Sequence, residues 1–172
     1  MRNPGALCLL GAGLAACAPA LDWRQVRPPE APWVASFPCR PSSHARKVIL
    51  AGREVRMTLY ACQADGVTWG LSEADLQDPA AVPPALRELR QAAAANLGAA
   101  EQTPLPGSVP GATPQPESGR FRLHGRLPDG QPLASEVAVF SRGTWVYQAT
   151  ALGGRPTAEG LETFFGGLRF VP

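Results

Sequence analysis

Apolar and polar residues alternate most regularly between Glu54 and Ala61. Val55, Met57, Leu59 and Ala61 are apolar, and the residues between them are mostly polar. A period of two places the apolar side chains on one face of a half-buried antiparallel strand. Lys47 to Leu50 predicts a partner strand, joined to it through a turn at residues 51–53.

Strand signals recur along the rest of the chain, each bounded by Pro, Gly or Asp. The predicted strands cover residues 33–37, 67–74, 119–127, 132–141 and 144–152, and a last edge strand or extended tail covers 168–171. Asp65-Gly66, residues 128–131 and Arg142-Gly143 have the composition of tight turns. This turn chemistry favours antiparallel hairpins over parallel strands.

Two segments have helical spacing instead. Between Asp78-Pro79 and Gly98 the apolar residues recur every three or four positions: Leu86, Leu89, Ala93 and Leu97. This spacing predicts an amphipathic helix. Thr157 can cap a second helix, whose apolar residues are Leu161, Phe164 and Phe165 and which ends at Gly166-Gly167. Residues 101–119 are rich in Pro, Gly, Ser and Thr and predict a surface loop with one short strand near Leu105.

This order of elements predicts an α+β fold, an antiparallel β-sheet packed by two main helices in an α/β sandwich. Residues 33–172 are long enough for a single domain of this kind.

The pattern also resembles the PsbP and Mog1 type of domain found in bacterial envelope lipoproteins. The matching features are Ala35-Ser36-Phe37-Pro38 with Pro41, the Leu50-Ala51-Gly52 hairpin, the helix to Asn96-Leu97, and Leu161 to Phe165 before Leu168-Arg169-Phe170. Cys39 departs from the pattern, where a turn-forming glycine is expected. The resemblance implies a binding or assembly module.

The first residues have the three-part plan of an export signal. Arg2 precedes an apolar run from Ala6 to Leu14, which is too short to span a bilayer and ends in small residues. Leu14-Ala15-Ala16-Cys17 resembles the lipobox of bacterial lipoproteins. The resemblance implies a signal peptide at 1–16, lipidation of Cys17, and a Pro-rich tether at 17–32. The alternative is an ordinary cleaved signal, with Cys17 a spare thiol.

The lipobox also implies a location in the bacterial cell envelope. Ala18, rather than an acidic residue, follows Cys17, which in that family favours the outer membrane facing the periplasm. No second apolar stretch approaches the length of a membrane span, so the lipid at Cys17 is the predicted membrane attachment.

Of the four cysteines, Cys8 leaves with the signal and Cys17 is acylated on this interpretation. Cys39 and Cys62 are then the remaining disulfide partners, and an oxidising envelope favours the bond. A redox role is the alternative, but the chain has no C-x-x-C pair.

The charge balance gives no indication of a nucleic-acid partner. Sixteen basic and fourteen acidic residues give a formal net charge of +2, and no basic stripe follows the chain.

Candidate chemistry is sparse. His44 and His124 are the only histidines and lack metal-ligand spacing, so no metal or cofactor is predicted. Ser42 and Ser43 adjoin His44, but without a G-x-S-x-G elbow. Glu73 and Asp75 are two apart on a predicted strand and share a face, where they can hold a cation or a proton donor, or form a charged sheet edge.

The aromatic residues are the remaining ligand-binding candidates: Trp69, Trp145 and Tyr147. Each lies on a predicted strand and is either core or part of an open groove under the second helix. Because Trp145 and Tyr147 share one face of a strand, while Val146 and Gln148 share the other, one of these two faces is expected to be the core.

Two functions follow from these observations. The first is a lipid-anchored, non-catalytic envelope protein that binds or scaffolds another envelope component through the sheet or the 101–119 loop. The second is a small periplasmic hydrolase or ligand-binding protein whose site converges only in three dimensions. A cleft that gathers a histidine, a carboxylate and a serine favours the enzyme, and their dispersal favours the binding module.

Overall fold

The computed structural model describes residues 21–29, 31–98, 101–126 and 129–171. Within these ranges the chain is an α+β protein with two antiparallel sheets and two α-helices. The predicted signal peptide at 1–16 and the lipidation site Cys17 lie outside the described residues.

Seven strands form the larger sheet. They are β3 (Ser42–Leu50), β4 (Arg53–Ala64), β5 (Val67–Asp75), β6 (Glu101–Leu105), β7 (Gly119–Arg126), β8 (Pro132–Arg142) and β9 (Trp145–Leu152). Their order is β3-β4-β5-β9-β8-β7-β6, and every pair is antiparallel. The hairpins and the meander that the turn residues predict are therefore confirmed, and β5 and β9 lie at the centre.

A smaller sheet has three strands, in the order β1 (Arg24–Val26), β2 (Trp33–Phe37) and β10 (Arg169–Phe170). The first strand falls inside the predicted tether, and the Asp22 amide also donates to the Pro38 carbonyl at 2.8 Å. This part of the tether is paired because Trp23 packs edge-on against Trp69, with 5.9 Å between ring centroids.

Both predicted helices are present. A 3₁₀ turn (Pro79–Ala81), capped by the Asp78 carboxylate, leads into α1 (Val82–Asn96). Thr157 caps α2 (Ala158–Gly166) by accepting a hydrogen bond from the Gly160 amide. Asp78 in the 3₁₀ turn and Thr157 in α2 each satisfy a backbone N–H that a helical start leaves unpaired, whereas Ala81, the N-cap residue of α1, provides no side-chain cap.

One face of the larger sheet packs against α1. Its buried residues are all leucine, valine or alanine, among them Val137, Val139 and Val146 of the sheet and Leu86 and Leu89 of α1. We call this the aliphatic face.

The opposite face packs against α2 and the smaller sheet. Its core includes Phe140 and Tyr147 of the larger sheet, Phe37 of β2, Phe164 of α2 and Phe170 of β10. We call this the aromatic face.

Because a layer covers each face, the central strands are buried on both sides. Val146 and Tyr147 are adjacent on β9 and each is only 1% exposed. The expectation that one of the two faces of this strand is core is therefore wrong, because both faces are. The charged-edge interpretation of Glu73 and Asp75 is also wrong, since β5 lies between β4 and β9.

The structure contains the disulfide between Cys39 and Cys62, with 6.0 Å between the two Cα atoms. Cys39 follows β2 of the smaller sheet, and Cys62 lies on β4 of the larger one. The bond thus joins the two sheets covalently.

Candidate functional site

A cavity of about 580 Å³ lies beneath the segment 106–118, which crosses over β8 and α2. Its apolar walls come from Val109, Ala112, Ala138, Phe140, Phe165 and Leu168. The segment is held in place by backbone hydrogen bonds: the Thr113 amide donates to Ser141 at 2.7 Å, and the Phe170 amide donates to Pro110 at 2.9 Å. We call this space the loop cavity.

Ser118 is one of the polar residues that line the loop cavity. Its Oγ is buried and has no hydrogen-bond partner among the described residues. A buried hydroxyl without a partner is destabilising, so a hydrogen bond to this oxygen would lower the free energy of the site.

Arg120, at the edge of the same cavity, is held by three groups. Its guanidinium donates to Glu136 Oε2 at 2.7 and 3.0 Å and to Glu162 Oε1 at 2.9 Å. It also lies 4.3 Å from the centroid of the Phe165 ring. Arg122 donates to the other Glu136 oxygen at 2.5 Å, so this 4% exposed carboxylate has two arginine partners. The network fixes Arg120 and leaves its charge compensated.

The far end of the loop is attached to the aliphatic side of the molecule. Arg87 of α1 donates to Glu117 Oε1 at 2.7 and 3.2 Å, and Arg90 lies 3.9 Å from Oε2. The hydrogen bond from Arg87 holds the pKa of the Glu117 carboxyl below its usual value. The ion pair links α1 to the loop that closes the cavity.

A second cavity, of about 700 Å³, lies between the larger sheet and the segment that contains Pro28, Pro29, Ala31 and Pro32. Its walls are Pro28, Pro29, Ala31, Pro32, Tyr60, Glu73 and Trp145. We call it the Glu73 cavity.

The Glu73 carboxylate accepts two hydrogen bonds, one on each oxygen. Trp33 Nε1 donates to Oε2 at 2.7 Å, and the Tyr60 hydroxyl donates to Oε1 at 3.1 Å. Burial, together with the neighbouring Glu73 charge and this hydrogen bond, raises the pKa of Tyr60 to about 12. The phenol therefore stays protonated at neutral pH and remains a donor to Glu73.

The three aromatic candidates are separated by the fold. Trp69 and Tyr147 are buried in the core of the aromatic face, where Tyr147 stacks on Phe140 at 5.2 Å. Trp145 is 40% exposed and lines the Glu73 cavity. Trp69 and Trp145 therefore do not line a shared groove.

The candidate hydrolytic residues are dispersed. His44, Ser42 and Ser43 are exposed on the edge strand β3, and His124 is exposed on β7. Neither histidine lines either cavity. Across the described ranges, no cluster of three His, Cys, Asp or Glu residues can hold a metal ion.

Sequence reasoning missed Ser118, Arg120 and Phe165 as cavity residues. The available signal was the Pro- and Gly-rich composition of 101–119, which predicts a loop but not which elements it covers. The sequence places Glu73 and Asp75 on one face of a strand, but Asp75 has its own hydrogen-bond donors. It accepts hydrogen bonds from the Thr144 hydroxyl at 2.6 Å and from the Gln77 amide at 2.9 Å.

Neither a protein-family model nor a curated protein matches this sequence. In the part of the chain that the structure describes, no helix is long and apolar enough to cross a membrane. The two cavities are therefore the basis for proposing a function.

Proposed function

We propose that this protein is a lipid-anchored, non-catalytic binding module of the bacterial envelope, and that its loop cavity receives an apolar group of another envelope component. The observation that carries the proposal is the loop cavity itself, which combines apolar walls with the unpartnered Ser118 hydroxyl. Its volume of about 580 Å³ lies within the range of small-molecule sites.

The walls favour an occupant with an apolar body and a small number of hydrogen-bonding groups. Phe140, Phe165 and Leu168 provide apolar contact area. The uncharged polar side chains in the lining are Ser108, Thr113, Gln115 and Ser118. The positive charge of Arg120 is already compensated by Glu136 and Glu162, so a ligand needs no charge of its own to bind in the cavity. An amphipathic small molecule, or an apolar group of a larger one, meets these conditions.

The dispersal of the histidines supports a non-catalytic role. A nucleophile needs a base within hydrogen-bond reach, and the base needs a third group that orients it. Ser42 donates instead to the Ala61 carbonyl at 3.4 Å, on an exposed strand outside both cavities. No observation favours the alternative hydrolase.

The proposed envelope location rests on the lipobox at Leu14 to Cys17. The fold supports it only through its compatibility with a domain type found in envelope lipoproteins. Two antiparallel sheets with two helices are compatible with the sandwich of the PsbP and Mog1 type that the sequence resembles. Acylation at Cys17 by more than one chain makes a stable anchor, which a single chain does not. The described residues 21–29 then begin a few positions after the anchor.

The binding proposal is tested with the dye anilinonaphthalene sulfonate, which has an apolar aromatic body and one anionic sulfonate and whose fluorescence rises in dry apolar sites. The informative variant is Gly166→Leu, because a Cβ at this cavity-lining position meets no atom within 4 Å. We expect the native protein to bind the dye and the variant, folded by circular dichroism, to bind it at least tenfold more weakly.

Ile49→Ala is the matched control, because Ile49 is 66% exposed and lies outside both cavities. Its dye affinity should equal that of the native protein. Equal binding by Gly166→Leu and the native protein overturns the loop cavity as the site, and so does loss of binding in Ile49→Ala.

The anchor is tested separately by intact mass on the full chain extracted from bacterial membranes. A mass that begins at Cys17 and includes acyl groups is expected, and Cys17→Ala should release the protein from the membrane fraction. An unmodified mass that begins at another residue contradicts the anchor.

A further inference from the structure

Among the described residues, two carboxylates are buried, and only one of them has a cationic partner there. Glu136 is 4% exposed and pairs with Arg120 and Arg122. Glu73 is 8% exposed, and its side-chain partners are Trp33 and Tyr60, which are neutral donors. Burying a carboxylate is unfavourable unless hydrogen bonds and an opposite charge compensate it.

The hydrogen bonds leave part of the Glu73 carboxylate unused. A carboxylate can accept about four hydrogen bonds, two on each oxygen. Trp33 takes one position on Oε2, and Tyr60 takes one on Oε1. One acceptor position remains on each oxygen, which is the requirement for a ligand with two N–H groups side by side.

The rest of the Glu73 cavity is suited to a cation. Glu73 is the only charged residue among the described side chains that line it, so no positive group competes for the carboxylate. Tyr60 and Trp145 contribute aromatic rings, whose faces attract cations. Pro28, Pro29 and Pro32 complete an apolar wall that weakens competition from water.

We propose that the Glu73 cavity binds a guanidinium group, with two of its N–H donors on the two free acceptor positions of Glu73 and its plane against the ring of Trp145. This site is separate from the loop cavity and does not depend on the function proposed for it. A guanidinium is preferred over a quaternary ammonium, because the latter has no N–H group to offer the carboxylate.

The test is calorimetric titration of the folded protein with N-acetylarginine amide. N-acetylcitrulline amide is the matched ligand control, because its urea group has the same shape without the charge. Both are titrated at constant ionic strength. We expect the arginine derivative to bind at least tenfold more tightly than both the citrulline derivative and tetramethylammonium.

Glu73→Gln removes the charge and keeps the size of the side chain, and it should weaken arginine binding at least tenfold. Glu54→Gln is the matched control, since Glu54 is exposed on β4 and outside the cavity, and its affinity should not change. If Glu73→Gln is unfolded, Trp145→Ala replaces it as the test. That residue is exposed, and its loss should weaken binding by about threefold or more.

A comparison of two ligands, N-acetylarginine amide and a blocked peptide with a central arginine, distinguishes the source of the guanidinium. A free metabolite is indicated if N-acetylarginine amide binds as tightly as a blocked peptide with a central arginine, and a protein partner is indicated if the peptide binds at least tenfold more tightly. The proposal is overturned if the native protein binds no guanidinium probe, if the citrulline derivative binds equally well, or if folded Glu73→Gln and Trp145→Ala both bind as the native protein does.

Discussion

Both faces of the seven-stranded sheet are buried at its central strands, but they are built from different side chains. The aliphatic face contains only leucine, valine and alanine among its buried residues, and it has no buried carboxylate in the described part of the chain. The aromatic face buries eight phenylalanine, tyrosine and tryptophan side chains. Glu73 and Glu136 also lie on that side, since they occupy alternate positions with Leu71 and Ala138.

The difference in composition explains where the cavities are. Small aliphatic side chains from one continuous helix can interdigitate with a sheet and fill the space closely. On the aromatic face a short helix, a three-stranded sheet and the 106–118 segment must together cover large rings. The loop cavity lies between the segment, the helix and the larger sheet, and the Glu73 cavity lies where the residues after β1 cross the larger sheet. We therefore expect the aliphatic face to supply stability, and the aromatic face to supply stability and binding.

The largest effect is expected from Phe164→Ala on the aromatic face. Phe164 is fully buried and makes edge contacts with Phe37, Trp69 and Phe165, with centroids 5.0 to 5.4 Å apart. Its loss should reduce the free energy of unfolding by about 4 kcal/mol, through lost burial and the void that remains. Urea denaturation followed by tryptophan fluorescence measures this, and a loss below about 1 kcal/mol is inconsistent with such packing.

Leu86→Ala makes the equivalent change on the aliphatic face. Leu86 is fully buried in α1, and the truncation should cost about 3 kcal/mol of unfolding free energy. Leu86 lines neither cavity. The affinity of the loop cavity for the dye, and that of the Glu73 cavity for the arginine derivative, should therefore stay within about twofold of the native values. A tenfold loss of either affinity in the folded variant contradicts the assignment of binding to the aromatic face alone.

Replacing Cys39 and Cys62 together with alanine tests the covalent link between the sheets. The bond closes a loop with a sequence separation of 23, and its removal should cost roughly 3 kcal/mol in the chain-entropy model. Differential scanning calorimetry with and without the double substitution measures the change. A matching loss on reduction of the native protein, with no further loss in the double variant, identifies the disulfide as the cause.

Alkaline pH should weaken the aromatic face selectively. Burial raises the pKa of Tyr60 to about 12, and burial also raises the pKa of Tyr147. A phenol with a raised folded pKa contributes stability that is complete below its unfolded pKa near 10.0 and is lost as the pH rises through the folded value.

The measurement is the free energy of unfolding from about pH 9 upwards, with phenolate absorbance as a direct reading. The chain has only two tyrosines, so the absorbance reports this face alone. Leu86→Ala should keep the same alkaline slope as the native protein, while Tyr60→Phe should reduce it. An unchanged slope in Tyr60→Phe assigns the alkaline loss to another group.

The smallest effect is expected where the two sides meet, at the Glu117 ion pair with Arg87. The pKa of Glu117 is lowered in the folded state, so its contribution is present above the unfolded value of 4.5 and is lost as the pH falls through the folded one. Glu117→Gln should flatten the acid side of the stability profile slightly, because the pair is exposed to solvent. An acid limb identical to that of the native protein shows that the pair does not stabilise the fold.

Local signals predict most of the elements. The turn at Asp65-Gly66 and the cap at Thr157 are present because they depend on the chemistry of a few neighbouring residues. The disulfide partners Cys39 and Cys62 follow from the cysteine count together with the lipobox interpretation, which removes Cys8 and Cys17 from the four cysteines. In contrast, β1 spans three residues between prolines, which is too short to show a period, and it forms because β2 offers an unpaired edge.

The candidate site was less accessible to sequence reasoning, since both cavities depend on which layer covers each face. Alternation along β9 indicates that two faces differ, but it does not show that both are buried. The burial of Glu73 follows from the central place of β5, which only the pairing with β4 and β9 reveals. The loop residues near Ser118 have no period at all, so their contacts cannot be inferred from spacing.

The disulfide also determines how the protein responds to mechanical force on its N-terminal end. A pull on the chain before residue 21 first separates the three residue pairs of β1 and then loads β2. Unravelling stops at Cys39, because the bond to Cys62 transmits the load directly to β4 in the larger sheet. Residues 21–38 can therefore unfold into an extended chain roughly 60 Å long before the larger sheet bears the tension.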